Sequence, residues 1–357
     1  MTKIDIHAHW YPRAWVTLLE NEGTANGAKA FRNAKGNVAI EVPGYNHSFQ
    51  DQYIDIPTRL RMMDDARVDV HALSLTSPMI YWAPPEFGLK LAQVYNDGLA
   101  AAHLEHPKRF LGLATLPMQA PDLAVKELDR AAKLPGIRGV YMGTHVMGKN
   151  LDEEAFRPVY ARCEALGLAI FLHPLNPVGA DRMRKYHLRN LIGNPTDNAI
   201  AAASLIFGGV MDAFPKLDVV LPHSGGTMPA LIGRWDHGTT VRAELKHMTK
   251  PPSTYLRRFH YDTITHHPRI LRFLLELVGA DRVMLGSDYN QDMQYERPVE
   301  FLDGVPGRTA QEERQLTIRD RVLAEVVIDD ERILAAFHEI FADGRAGKRR
   351  EELQRRR

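Results

Sequence analysis

The chain has 357 residues, 45% of them hydrophobic, with 45 Lys+Arg against 44 Asp+Glu. That balance belongs to a globular chain with a sizeable core and excludes the collagen-like and disordered classes. A net charge of +1 lacks the basic excess of a nucleic-acid-binding protein, and the one cysteine, Cys163, permits neither an intrachain disulfide nor a cysteine-built metal site. Histidine, with 16 copies, is the residue that needs an explanation.

No stretch approaches the roughly 18 consecutive apolar residues of a membrane span. The first residues carry Asp5, His7 and His9 where a signal peptide would need an apolar run. A cytoplasmic protein is expected.

In chain order, short runs rich in β-branched and apolar residues recur at 3–9 (KIDIHAH), 68–75 (VDVHALSL), 110–116 (FLGLATL) and 136–143 (GIRGVYMG). Four more follow at 168–173 (LAIFLH), 217–223 (LDVVLPH), 258–264 (RFHYDTI) and 282–288 (RVMLGSD). Between them lie stretches with helical period, predicted at 85–105, 123–132, 153–166, 197–214, 228–245 and 268–277. Alternating strands and helices imply parallel pairing through right-handed crossovers. Eight such units suggest closure into a distorted (β/α)8 TIM barrel. The open doubly wound sheet is the alternative, and no Gly-x-Gly-x-x-Gly follows the first strand to support it.

Residues 10–57 are long, polar and dotted with aromatics, so they read as a loop insertion after strand one, on the catalytic face of a barrel. Residues 1–343 are expected to form a single barrel domain with a charged, helical C-terminal extension after about 300. The basic tail 344–357, with seven basic and two acidic residues, is expected to be solvated and disordered.

Polar residues collect at the carboxyl ends of these strands, where barrel enzymes place their chemistry. His7 and His9 are two apart on strand one, a spacing that puts both on one face. His173 ends strand five, His223 ends strand six and Asp288 ends strand eight. Imidazoles plus a carboxylate form a donor set suited to a zinc-like divalent ion with an open position for water. The residues alone do not separate ligand from acid/base among these five. His71, inside strand two, reads as structural, as do His103 and His106 near a helix C-terminus. His145, His266 and His267 follow strands four and seven and are candidates to line the site.

The stretches Asp5-Ile6-His7-Ala8-His9, Phe171-Leu172-His173-Pro174, Pro222-His223-Ser224-Gly225-Gly226 and Leu285-Gly286-Ser287-Asp288-Tyr289 resemble the signature of the amidohydrolase superfamily. Leu113 to Gln119, Gly143-Thr144-His145 and the Gly208–Leu217 segment agree. Within the superfamily the chain is similar to non-oxidative decarboxylases of the 2-amino-3-carboxymuconate-6-semialdehyde type. The resemblance runs from residue 3 to about 290.

The resemblance implies that His7, His9, His173 and Asp288 hold one zinc ion with a water, manganese and cobalt being the other ions to consider. It makes His223 the acid/base beside that water, with Asp288 contributing to catalysis as well as to ligation. Arg234 matches an arginine that reaches the neighbouring subunit's site, which implies a homodimer binding a small carboxylic acid. A second family arginine does not carry over; counted without gaps from Arg59, its place is taken by His47, which pairs with a carboxylate only while protonated. Pro174-Leu175-Asn176-Pro177 and Asn290-Gln291 also depart from the pattern of the named decarboxylase. The implied activity is zinc-dependent decarboxylation of an aromatic or muconate-semialdehyde-type acid. The alternative is a hydrolase or hydratase acting on an amide, lactone or unsaturated acid. A barrel that only binds is the third reading, and all five filled site positions argue against it.

Overall fold

The computed structural model describes residues 2–43, 45–50 and 53–317, all of which belong to one compact unit. Strand β1 (Ile4–His9) is followed by β2 (Lys29–Arg32), β3 (Val38–Val42) and β4 (Tyr45–Phe49) in the insertion. Then come β5 (Val70–Ser74), β6 (Phe110–Thr115), β7 (Ile137–Gly143), β8 (Ala169–His173), β9 (Val219–Leu221), β10 (Phe259–Asp262) and β11 (Val283–Met284). The main sheet runs β1-β5-β6-β7-β8-β9-β10-β11, with parallel pairing throughout. Its two edges meet: Leu285 O accepts from Ile6 N at 3.0 Å, and Tyr289 N donates to His7 O at 3.2 Å. The eight predicted strands are therefore those of a (β/α)8 barrel. Each is buried almost throughout because the barrel interior lies on one side and a helix layer on the other.

The helix Pro85–Glu105 shows how that layer attaches. It starts on a proline, whose missing N–H is unneeded in the first turn, and buries Leu91, Ala92, Tyr95 and Leu99. Its Asn96 side chain donates to Thr115 O at 3.0 Å and accepts from Thr115 N at 2.9 Å, tying the helix to the end of β6. The helix predicted at 197–214 begins earlier, at Asn194–Pro195, and stops at Phe207. Gly209, with φ 71°, breaks it before the short helix Val210–Ala213.

The insertion has more order than a loop. It contains a helix, Arg13–Glu22, that buries Trp15 and Leu19 completely, and the antiparallel sheet β2-β3-β4. Its outer strand Lys29–Arg32 is largely exposed, so no apolar alternation marks it in the sequence. In β4, Tyr45, His47 and Phe49 share one face, and Phe49 stacks on Tyr11 with ring centroids 4.3 Å apart. Helices Pro298–Asp303 and Ala310–Thr317 begin the C-terminal extension. The rest of that extension, and the tail 344–357, lie outside the described residues. Among the described residues no helix is long and apolar enough to cross a membrane.

Candidate metal centre

The barrel brings all five strand-end residues to one point. The imidazole of His7 lies 4.9 Å from that of His9 and 5.3 Å from those of His173 and His223, centroid to centroid. A register shift between Asp5 and Ala8 interrupts the pairing of β1 with β5, yet both histidines still face inward. Asp288 Oδ1 lies 3.1 Å from His9 Nε2 and 3.3 Å from His7 Nε2; its other oxygen is 3.9 Å from His223 Nε2. His7, His173, His223 and Asp288 each offer an atom within 4.8 Å of the others. His9 adjoins this set through Asp288.

The outer nitrogens of the histidines are anchored. His7 Nδ1 is 2.9 Å from Asp262 Oδ2, His9 Nδ1 is 3.1 Å from Ser74 Oγ, and His173 Nδ1 is 3.1 Å from Pro174 O. Each anchor fixes the ring and turns Nε2 inward, toward Asp288 in the case of His9, the arrangement a metal-ligating histidine needs. His7 Nε2 is the decisive atom: it is buried and makes no hydrogen bond, although a carboxylate oxygen is 3.3 Å away. Two ligand atoms directed at a shared cation sit close together in just this way. The residues present fit a divalent metal.

Electrostatics agrees. Burial pushes His9 down to about 4 and holds His173 well below the ordinary histidine range, so these two rings are neutral as ligands must be; burial also lowers His223, leaving its ring able to accept a proton. Burial also opposes charge on His7, but the Asp262 hydrogen bond and Asp288 outweigh it and raise its pKa. Asp288 is buried too, yet the surrounding histidines keep its carboxyl below the usual value.

The turn after β9 positions His223. His223 and Ser224 have φ of 50° and 57°, a left-handed conformation that costs non-glycine residues energy. Asp262 offsets that cost: its carboxylate accepts from His223 N at 2.9 Å and Ser224 N at 2.7 Å, besides holding His7. Gly286 completes the cluster, since a Cβ there would come 2.9 Å from Asp262 Cβ and 3.2 Å from His7 Cβ. On its far side His223 Nδ1 is 3.1 Å from the amide nitrogen of Asn198, whose orientation is set by its second contact, the Pro222 carbonyl at 3.0 Å.

A cavity of about 210 Å³ opens on His173, His223 and Asp288, and His47 lies on its wall. Burial pushes His47 down to about 4, so at neutral pH it is an uncharged ring. A second cavity, of about 440 Å³, meets the first at His223 and Asp288 and is lined by Ile264, His266, Ile270 and Phe273. Arg234 is on neither wall; it is exposed on the helix Met228–Val241. His145 bonds the Leu175 carbonyl at 2.7 Å and lines a separate cavity. His71 is buried between Arg59 and Asp5, in keeping with a structural role.

Asp262, Ser74, Asn198 and Arg59 were not anticipated. Arg59 is fully buried, donates to the carbonyl of His9 and packs 4.4 Å over the Tyr289 ring, bracing both edges where the barrel closes. Asp262 carried a usable signal, a carboxylate at the end of a barrel strand.

The chain matches the amidohydrolase family over residues 4–336. It is 37% identical over 291 residues to a 2-amino-3-carboxymuconate-6-semialdehyde decarboxylase of Dictyostelium discoideum, covering 80% of this chain and 81% of that one. It is 30% identical over 276 residues to a gamma-resorcylate decarboxylase of Rhodococcus jostii, covering 70% and 82%. Among solved structures, 5-carboxyvanillate decarboxylase from Sphingomonas paucimobilis aligns with a TM-score of 0.76 and 25% identity, over 90% of this chain and 98% of that one. A parallel barrel whose strand ends gather four imidazoles and a carboxylate, with this likeness along most of its length, belongs to the amidohydrolase family.

Proposed function

We propose that the protein is a metal-dependent carboxy-lyase that removes carbon dioxide from an aromatic or muconate-semialdehyde-type carboxylic acid. The observation that carries this reading is the buried, unbonded His7 Nε2 facing Asp288 among anchored histidines, in a chain whose relatives are decarboxylases. His7, His9, His173 and Asp288 would hold the ion, taken as zinc, with manganese or cobalt as alternatives. The metal, when bound, supplies a Lewis acid that holds water and stabilises negative charge developing on the substrate.

The chain's own groups do the rest. Losing carbon dioxide leaves an electron pair on carbon, and a proton must take the place of the departing group. His223 is the residue placed to move it, because its Nε2 faces Asp288 at the meeting point of the two cavities. Asn198 and the Asp262-held turn keep that ring from rotating away. His47 contributes a neutral hydrogen-bonding group to the substrate wall.

Arg234 belongs to this proposal through a homodimer. Its helix, Met228–Val241, buries only Met228 and Pro229 of its own residues and leaves Leu231 and Val241 exposed. A second copy against that face would cover them and carry Arg234 toward the neighbouring cleft. One barrel domain over 1–343 and a cytoplasmic setting complete the reading.

Metal-loaded protein incubated with carboxyphenols and a carboxymuconate semialdehyde should release carbon dioxide and lose ultraviolet absorbance from the acid. Formation of a new acid without gas, or no reaction across the panel, would overturn the carboxy-lyase assignment.

A further inference from the structure

An acid substrate is an anion at neutral pH, and besides the metal and an Arg234 from a second copy its cleft has room for a positive group of its own chain. His47 does not provide one: its ring is neutral, and its buried Nε2 has no hydrogen-bond partner. On the wall of the 210 Å³ cavity, Arg189 is the one lysine or arginine, alongside Tyr45, His47 and Asn176. Its Nη2 donates to Asn176 Oδ1, and its guanidinium carbon lies 5.5 Å from the centre of the Tyr45 ring. Among the described residues no carboxylate pairs with it.

The backbone supports this placement. Arg189 opens a π-helical turn, Arg189–Gly193, that runs directly into the helix Asn194–Phe207. Such turns displace residues from ordinary helical register and recur at functional sites. Tyr45 and His47 are alternate residues of β4, so they present one face to the same cavity. With Asn176 and Tyr45 already restraining the side chain, little freedom remains to be lost on binding. A guanidinium has five donors, and the Asn176 bond uses one of them.

We propose that Arg189, braced by Asn176 and Tyr45, is the recognition point for a second anionic group of the substrate, a carboxylate remote from the metal ligands. The enzyme then prefers acids carrying two anionic groups over simple monocarboxylates. This deepens the carboxy-lyase reading and rests on the same cleft being the substrate site. Arginine suits the task because its planar fork matches a carboxylate through parallel hydrogen bonds.

Calorimetry on the metal-loaded full chain tests the proposal, with benzoate and benzene-1,3-dicarboxylate as probes. The dicarboxylate should bind about tenfold or more tightly than benzoate, as a charge-assisted contact implies. Arg189→Met should remove that gain while leaving benzoate binding unchanged, and Arg189→Lys should restore part of it. Asn176→Asp provides a second variant that keeps the arginine: the new carboxylate would neutralise Arg189 in place. The backbone at Asn176, φ 35°, is one that aspartate tolerates. Equal affinity of the two acids for the parent protein, or a gain that survives both Arg189→Met and Asn176→Asp, would overturn the proposal. Binding is read independently of turnover. A gain without carbon dioxide release would therefore sink the activity and leave the subsite, whereas release without the gain would sink the subsite alone.

Discussion

Asp262→Asn exchanges one oxygen for an NH2 group at constant volume, in a residue that is 1% exposed. One carboxylate oxygen accepts from His7 Nδ1 and from His223 N, both at 2.9 Å; the other accepts from Ser224 N at 2.7 Å and Ile264 N at 3.0 Å. The asparagine oxygen best replaces the second set, because the opposite orientation would aim an NH2 at two backbone donors. The new NH2 then meets His7 Nδ1 and His223 N. His7 can adapt only by moving its proton to Nε2, the atom needed for the metal. His223 N cannot adapt, and one buried unsatisfied donor costs about 1–3 kcal/mol. Groups that orient metal-ligating histidines are typically worth about tenfold to hundredfold in metal affinity, or about 1.4–2.7 kcal/mol. The variant should therefore bind its metal about tenfold to hundredfold more weakly in competition with a chromogenic chelator. Its metal-free form should lose about 1–3 kcal/mol in urea unfolding. Parental metal affinity together with a parental unfolding midpoint would refute the role given to Asp262.

His223→Ala should abolish carbon dioxide release while metal content, measured by plasma mass spectrometry, stays near that of the parent; substantial metal loss would make His223 a ligand instead. Arg234→Ala should raise KM more than it lowers metal content, and mixing it with His223→Ala should restore some activity if sites are shared between subunits. No recovery on mixing would remove the cross-subunit role. Acidification should destabilise the metal-free protein. His9 and His47 sit near 4 when folded against 6.5 when unfolded, so their stabilising effect is fully present above pH 6.5 and is lost as pH falls toward 4. From pH 7 to pH 5 each accounts for a loss on the order of 2 kcal/mol. His71 and His173 act in the same sense, while Asp5, raised by burial to about 6, and His7, also raised, oppose it. Urea titrations at the two pH values check the net loss, and an unchanged midpoint would show that these histidines are not held neutral.

The barrel and the five strand-end residues were legible because strand termini are local facts. A β-branched run ending in histidine or aspartate says where that side chain will stand once the sheet is parallel. Asp262 carries the same mark at the end of β10, but it lies outside the four stretches that resemble the superfamily signature. Arg59 carried no mark. It sits on the helix Ile56–Asp65, and its burial comes from distant partners, the His9 carbonyl at the end of β1 and the Tyr289 ring beyond β11. The sheet of the insertion was hidden for another reason, since an exposed strand such as Lys29–Arg32 has no apolar alternation to reveal it. The difference between a ligand and an acid/base cannot be read from spacing at all. It depends on which ring nitrogen each neighbour occupies, and those neighbours, Ser74, Asn198 and Asp262, lie far away in the chain.

The cleft is built from two kinds of structure, and the difference bears on substrate choice. The half that holds the candidate ligands consists of strand ends whose side chains are largely buried, with His7, His9 and Asp262 each held by hydrogen bonds to other barrel strands or their ends. The half that holds Tyr45, His47, Asn176 and Arg189 comes from the insertion strand β4 and from the segment after β8. Tyr45, His47 and Arg189 are only partly buried and Asn176 is exposed, and they meet one another through single contacts such as Arg189 with Asn176. On the proposed reading, substitutions there should change which acid is held without loosening the ligands. The resemblance read from the sequence implies the same partition: the strand-end motifs match it, while Asn176, Asn290 and His47 stand where the chain departs from it. Moving a positive charge from the position of His47 to Arg189 would leave the reaction unchanged and alter where the far end of the substrate is gripped.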